Sequence, residues 1–280
     1  MSEPLSDPGD APIHTLLRIM RQLRDEAGGC AWDRRQTFAS IAPSTIEEAY
    51  EVVDAIERGN LDELKDELGD LLFQVVFHSQ MASEQGRFGF DDVAAAIGGK
   101  LVRRHPHVFA DGRQLNAEQQ SVEWEDIKAR ERAAANGGGM PDSSHLAGVP
   151  RALPALTRAV KLSKRAARVG FDWDEPQQTA DKVAEELDEV LQAIRVNQQP
   201  VPSANLFEEI GDLLFAAANL ARKVNVDAEA ALRAANSKFE RRFRHMEAAV
   251  RERGAVFEEL PLAQLEQLWI AAKHAELNAG

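Results

Sequence analysis

Glu185-Glu186-Leu187-Asp188-Glu189, answered about twenty residues later by Glu208-Glu209-Ile210-Gly211-Asp212-Leu213-Leu214-Phe215, decides how this sequence folds. Both stretches consist of good helix formers, with apolar residues at helical spacing and no proline inside either motif. Successive helical residues turn by about 100°, so Glu185, Glu186 and Glu189 fan across one narrow wedge. Glu208, Glu209 and Asp212 repeat that fan on the second helix. Like charges so placed cost roughly 0.2–0.5 kcal/mol per i,i+4 pair unless a cation lies between them. Two such helices face to face make an oxygen-rich pocket of the kind Mg²⁺ prefers. A lone acidic motif would be read as a solvated surface instead.

The chain carries the pattern twice. Upstream stand Glu47-Glu48-Ala49-Tyr50-Glu51 and then Asp66-Glu67-Leu68-Gly69-Asp70-Leu71-Leu72-Phe73, and the run GDLLF follows the second motif in both halves. Two unrelated surface faces would not repeat the same glycine and the same apolar run, so a duplicated site is favoured. Gly69 and Gly211 each cost about 1 kcal/mol relative to alanine inside a helix. Each is therefore expected to permit a close approach of a neighbouring helix or a ligand.

A chain of 280 residues has room for two domains, and 44% hydrophobic residues can fill their cores. The single cysteine, Cys30, excludes an internal disulfide framework and a zinc cluster, and fits a reducing cytoplasm. The acidic N-terminus MSEPLSDPGD lacks a signal pattern, and no apolar run approaches membrane-spanning length, so a cytoplasmic protein is expected. A formal net charge of −13 and the lack of a basic footprint argue against a nucleic-acid partner. A phosphate ligand needs metal ions to screen the carboxylates and a few basic side chains focused on the site.

Taken in order, Ile13 to Arg24 is amphipathic, the loop EAGGCAWDRRQTF follows, and Pro43-Ser44 is expected to open the first motif helix. Asn60 caps the next helix with Glu63 as its capping-box partner, and Asp91 starts a helix bearing Lys100, Arg103 and Arg104. Residues 117–134 read as a charged helical tail around Trp124, and 136–150 as a glycine- and serine-rich linker. The second half replays this order. Gly170-Phe171-Asp172-Trp173-Asp174 parallels Ala31-Trp32-Asp33, Pro176 suits a first helical turn, and 197–203 is a loop. Helix 205–223 follows, then Asp227 opens a helix bearing Lys238, Arg241 and Arg242, and a tail helix carries Trp269. No segment shows strand alternation. The expected fold is all-α: two tandem copies of a four- or five-helix domain, over 1–135 and 151–280.

Lys238, Arg241 and Arg242 share one helix face, as do Lys100, Arg103 and Arg104. Alone such a stripe is ordinary solvated surface. Beside an acidic metal pocket it supplies what a transferring phosphorus centre needs, cations facing the metals from the other side. No P-loop signature is present. A di-iron bundle is excluded because neither half has a histidine three residues after a motif glutamate. His105 and His107 fit a helix end better than a ligand set.

The duplicated EExxE, ExxD and K-x-x-R-R motifs, with Trp32-Asp33, ELGDLLFQVVF, EIGDLLFA, RRHPHVF, VGFDW and KFERRF, resemble the MazG family over nearly the whole chain. The resemblance implies a homodimeric all-α enzyme that uses Mg²⁺ (Mn²⁺ as a substitute) to hydrolyse NTPs and dNTPs, ATP among them, to the monophosphate and pyrophosphate. A nucleotide house-cleaning or alarmone-linked role would go with it. It assigns Glu186, Glu189, Glu209 and Asp212 as metal ligands, with Glu48, Glu51, Glu67 and Asp70 as their first-copy equivalents. It assigns nucleotide contacts to Lys182, Glu185, Glu208, Asp212, Lys238, Arg241, Arg242 and Trp269, with Trp269 a stacking surface for the base. Glu185 is expected to accept the proton of the attacking water, while Lys238 with Arg241 or Arg242 offsets charge on the leaving pyrophosphate. Asn205 stands where relatives carry a lysine, which removes one phosphate contact. The resemblance assigns activity to the C-terminal copy, although both copies keep the ligand carboxylates. A helical regulatory scaffold, a nucleotide sensor and a narrower pyrophosphohydrolase remain as alternatives.

Overall fold

The computed structural model describes residues 11–110, 116, 120, 124, 127, 131, 144–196 and 203–279. Among these residues every regular element is helical. Most of the expected tail helix 117–134, of which the described residues 120, 124, 127 and 131 are helical, most of the linker 136–150 and most of the loop 197–203 lie outside the described residues. The chain divides into two compact units, Met1–Gly139 and Met140–Gly280.

The first unit contains α1 (Pro12–Leu23), α2 (Phe38–Arg58), α3 (Leu61–Glu84), α4 (Phe90–Arg104) and the single turn α5 (Pro106–Phe109). Its centre is the α2–α3 hairpin. Gly59 takes φ +68° at the C-terminus of α2, a left-handed conformation that favours glycine, and Asn60 at once caps α3 by accepting from the Glu63 backbone N–H at 3.3 Å. The Glu63 carboxylate takes the Asn60 side-chain amide at 2.8 Å, a variant of the expected capping box.

The start of α2 differs from expectation. Thr37 and Ser40 form a reciprocal capping box, so the helix begins at Phe38 and Pro43 lies inside it. Satisfied N–H groups at the Thr37 cap outweigh the helix-breaking tendency of a proline this close to the end.

Met20, Ile41, Val76, Phe77 and Met81 form the core of the first unit, with Leu16, Leu17, Phe73 and Phe90 packed around it. Phe77 is fully buried, meets Phe73 edge-on at 5.6 Å and lies under the Arg24 guanidinium at 5.3 Å. Arg24 is held in turn by Glu84 at 2.7 Å.

The second unit contains α6 (Ala155–Ala167), α7 (Pro176–Val196), α8 (Ala204–Lys223), α9 (Ala228–Glu252) and α10 (Leu262–Ala279). Pro176 opens α7, and Ser203 and Asp227 cap α8 and α9 through their side-chain oxygens. The α7–α8 pair is again the most extensive helix contact, and α6 packs on α8. The buried apolar cluster of this unit lies elsewhere, between α9 and α10, where Met246, Val250, Leu268 and Ala272 meet Phe243, Phe257 and Trp269.

Of the two approaches expected at Gly69 and Gly211, a neighbouring helix or a ligand, the helix is not found within the chain. A Cβ at either would meet no atom within 4 Å, so neither glycine is required by a close approach within the chain. Both sit on the exposed face beside the carboxylates, where no neighbouring helix comes near.

Candidate functional site

Each helix hairpin brings its acidic fans together. In the second unit Glu186, Glu209 and Asp212 each offer a carboxylate oxygen within 4.8 Å of the others, and in the first unit Glu48, Glu67 and Asp70 do the same. Three hard oxygen donors from two helices suit an oxophilic divalent ion. The remaining expected ligands sit at the edge of each group. Glu189 contacts Glu186, and this contact, ahead of burial, raises the Glu189 carboxyl above its ordinary range. Burial, then the neighbouring Glu51 and Asp70, raises Glu48, while burial, Glu51 and Asp70 raise Glu67. Carboxylates that push one another toward the protonated form are arranged for a counter-charge.

The two sites differ in what stands beside the carboxylates. In the second unit Lys182 donates to Glu185 at 2.7 Å and to the buried Glu186 at 2.9 Å. Glu185 and then Glu186 hold the Lys182 ammonium well above its usual range. In the motif register the first unit has Ser44 at this position, and Glu48 is met by the neutral amide of Gln74 at 3.4 Å.

Above the carboxylates of the second unit lies a cavity of about 610 Å³, a size typical of small-molecule sites. Lys182, Glu186 and Asp212 form one side of it; Leu162, Ala166 and Ala216 form apolar wall. Phe171, Trp173 and Phe215 line it too, and all three remain substantially exposed. Exposed rings on a cavity wall offer faces on which a planar ligand stacks. The loop carrying Phe171 and Trp173 is tied to the end of α8. Arg222 donates to Asp172 at 2.6 Å, Lys223 reaches the same carboxylate at 3.4 Å, and Lys223 also donates to the Trp173 carbonyl. Burial works to raise the Asp172 carboxyl, but Arg222 and Lys223 outweigh it and the group lies below its ordinary range.

The first unit has a cavity of about 670 Å³ lined by Arg24, Glu26, Ala31, Arg34, Arg35 and Glu84, but none of its motif carboxylates reaches that lining. Its sequence differs where the second unit's cavity opens. Counted from the shared motifs, Ile41 stands where the second unit has Thr179, and Phe77 where it has Asn219. Ile41 and Phe77 are both buried in the first unit's core. Large apolar side chains fill in one unit what small or polar ones leave open in the other.

Other expected contacts lie away from the cavity lining. Arg242 and Arg241 on α9 pair with Glu276 at 2.8 and 3.4 Å, and the Trp269 ring packs on Phe239 at 5.2 Å and beneath Arg242 at 5.6 Å. Trp269 belongs to the α9–α10 core, and Trp173, not Trp269, lines the cavity. Lys238 shares the α9 face, and Glu208 is exposed on α8 outside the three-carboxylate group. Glu185 is ion-paired with Lys182 at 2.7 Å. Asn205 reaches Glu209 at 3.4 Å. The first unit repeats the basic-helix arrangement, with Arg104 and Arg103 facing Glu131 at 2.5 and 3.8 Å. Thr179, Asn219 and Arg222 carry no motif, and Phe171 stands in VGFDW without a role assigned to it. Aligning the two halves residue by residue exposes the first two, as polar groups on an otherwise apolar helix face.

Comparison with known proteins agrees with this duplication. The MazG nucleotide pyrophosphohydrolase domain matches residues 36–109 and again 174–247. The chain is 52% identical over 266 residues to the nucleoside triphosphate pyrophosphohydrolase of Escherichia coli K12, covering 95% of this chain and 98% of that protein. It is 45% identical over 258 residues to the nucleoside triphosphate pyrophosphohydrolase/pyrophosphatase MazG of Thermotoga maritima, covering 92% and 94%. It is 41% identical to the uncharacterized protein YabN of Bacillus subtilis, matching 94% of this chain but 52% of that longer protein. With its domain present twice and both acidic hairpins intact, the chain belongs to the MazG family of nucleotide pyrophosphohydrolases.

Proposed function

We propose that this pyrophosphohydrolase acts through the α7–α8 hairpin of the second unit, hydrolysing NTPs and dNTPs to the monophosphate and pyrophosphate with Mg²⁺ as the preferred ion. The observation that carries this reading is the shared lining: Glu186 and Asp212 belong both to the three-carboxylate group and to the wall of an aromatic cavity. A base held by Phe171, Trp173 or Phe215 would leave its triphosphate beside the carboxylates.

Glu186, Glu209 and Asp212 would hold the metal, with Glu189 at the edge of the group. Bound there, Mg²⁺ would neutralise phosphate charge and lower the pKa of a coordinated water. Lys182, freed from Glu186 as the carboxylate takes its new partner, is placed to bind a phosphate oxygen. Its departure also returns Glu185 to a free carboxylate able to accept a proton from the attacking water. Lys238 with Arg241 or Arg242 supplies the cationic face that offsets charge on the leaving pyrophosphate.

We further propose a homodimer. Leu187, Leu191 and Ile194 on α7, with Ile210 and Leu214 on α8, are between 41% and 54% exposed. An apolar row of this length on the outer face of the catalytic hairpin suits a second copy of the chain. Among the described residues no helix is long and apolar enough to cross a membrane, and we place the enzyme in the cytoplasm with its nucleotide substrates.

The test is a panel of NTPs and dNTPs incubated with the full chain, with products separated. Pyrophosphate and monophosphate in equal amounts are expected with Mg²⁺, and with Mn²⁺ in its place, and neither with a chelator. Release of orthophosphate, or turnover indifferent to chelation, would overturn the proposal.

A further inference from the structure

Thr179 presents an anomaly that the proposed chemistry does not use. Its side chain is fully buried, lines the cavity, and its hydroxyl oxygen has no hydrogen-bond partner among the described residues. A buried hydroxyl without a partner is destabilising in the empty protein, and native structures rarely keep one without a use. It does no packing that an apolar residue could not do, since Ile41 fills the corresponding position of the first unit.

A second polar group faces the same cavity. Asn219 is buried at 6% exposure, and its Oδ1 accepts from Arg222 Nε at 2.8 Å. Arg222 has only donors to offer, so this bond fixes which way round the amide sits. The Asn219 NH₂ is left as a donor, and Asp172 holds Arg222 in place at 2.6 Å. The cavity lining thus includes one fixed donor and one hydroxyl able to accept, in a wall otherwise rich in apolar and aromatic surface.

We propose that Thr179 and Asn219 together read the hydrogen-bonding edge of the nucleobase, so that Thr179 determines which bases this enzyme prefers. The proposal rests on the assignment of the cavity to the base, made above. Keto bases set an exocyclic acceptor beside a ring N–H, and amino bases reverse that order. An Asn219 N–H fixed beside a Thr179 hydroxyl acceptor therefore meets one class in register and the other out of it. Sites that hydrogen-bond a substrate group discriminate far more strongly than apolar pockets of the same shape, because a mismatched ligand leaves buried groups unpaired.

The test uses the full chain and its Thr179→Val and Thr179→Ser variants. Dissociation constants are measured with Mg²⁺ for the non-hydrolysable α,β-methylene analogues of ATP, GTP, CTP and UTP, and kcat/KM for the natural four. The wild type is expected to prefer some bases over others. In Thr179→Val the ratio of best to worst base should shrink by about tenfold or more, while Thr179→Ser keeps it within about twofold. Val keeps the shape and removes the unpaired hydroxyl, so the ligand-free variant should also melt a few degrees higher. Equal base ratios in the wild type and Thr179→Val, or a wild type with no base preference, would overturn the proposal. Loss of turnover on every natural NTP, with analogue binding and its base ratios as expected, would instead refute the catalytic assignment and leave base reading standing.

Discussion

The two halves of this molecule hold nearly the same acidic furniture around very different interiors. In the first unit Phe77, Ile41 and Met20 close the space beside the α2–α3 hairpin, and the carboxylates face a neutral glutamine. In the second, Thr179, Asn219 and Ala216 leave about 610 Å³ open, and a lysine bridges two of the glutamates. A duplicated motif can therefore keep its carboxylates while the side chains behind it change. What separates the two units is side-chain volume and polarity on the far side of the helix, not the motif.

That contrast can be broken most directly at the carboxylates. Asp212→Ala should lower pyrophosphate release by about a thousandfold or more, as loss of a metal ligand removes both water activation and charge neutralisation. Asp70→Ala should leave the rate within about threefold, since the first unit's cavity is lined by none of its motif carboxylates. Steady-state assays of both variants check this, and the opposite outcome would make the first unit the catalyst. Transplanting the plug comes next. Asn219→Phe places in the second unit the ring that Phe77 supplies in the first, and should reduce kcat/KM by about a hundredfold or more while circular dichroism stays that of the folded chain.

The converse change tests the first unit as a scaffold. Phe77→Ala removes a fully buried ring and should cost about 3–5 kcal/mol in chemical denaturation. The smallest effect concerns the brace over that ring. Arg24 beside Glu84, acting first through the hydrogen bond and then through charge, holds the Glu84 carboxyl below its ordinary range despite the opposing effect of burial. A carboxyl depressed by folding adds stability that is complete above its unfolded pKa and is lost as pH falls through the folded value. Glu84→Gln should therefore cost about 0.5–1.5 kcal/mol at neutral pH, discounted because the side chain is 35% exposed, with the difference from wild type vanishing in acid. Denaturant titrations at several pH values measure it, and a gap that persists in acid would show that Arg24 is held by something else.

The helices, their duplication and the carboxylate groups were legible because helical periodicity and charge repulsion act over a few residues at a time. Asn60, Asp227 and Pro176 mark helix starts by local chemistry alone. Pro43 misleads for the same reason: the Thr37–Ser40 box that starts α2 opens six residues upstream of the apparent breaker. The cavity is harder to read, since a void is made of what is missing. Ala166, Ala216 and Thr179 come from three different helices, and none is unusual where it stands. Trp269, singled out by its motif, packs within its own helix pair, while Trp173, in a loop, lines the cavity.

Arg222 has a consequence reaching beyond the groups it touches. One guanidinium grips the loop that carries the aromatic rings and, through its other nitrogen, the amide on α8. The rim and the inner wall cannot move independently: whatever draws Trp173 aside pulls on the orientation of Asn219. Entry to the cavity and recognition within it are yoked mechanically, and a guest that forces the first disturbs the second.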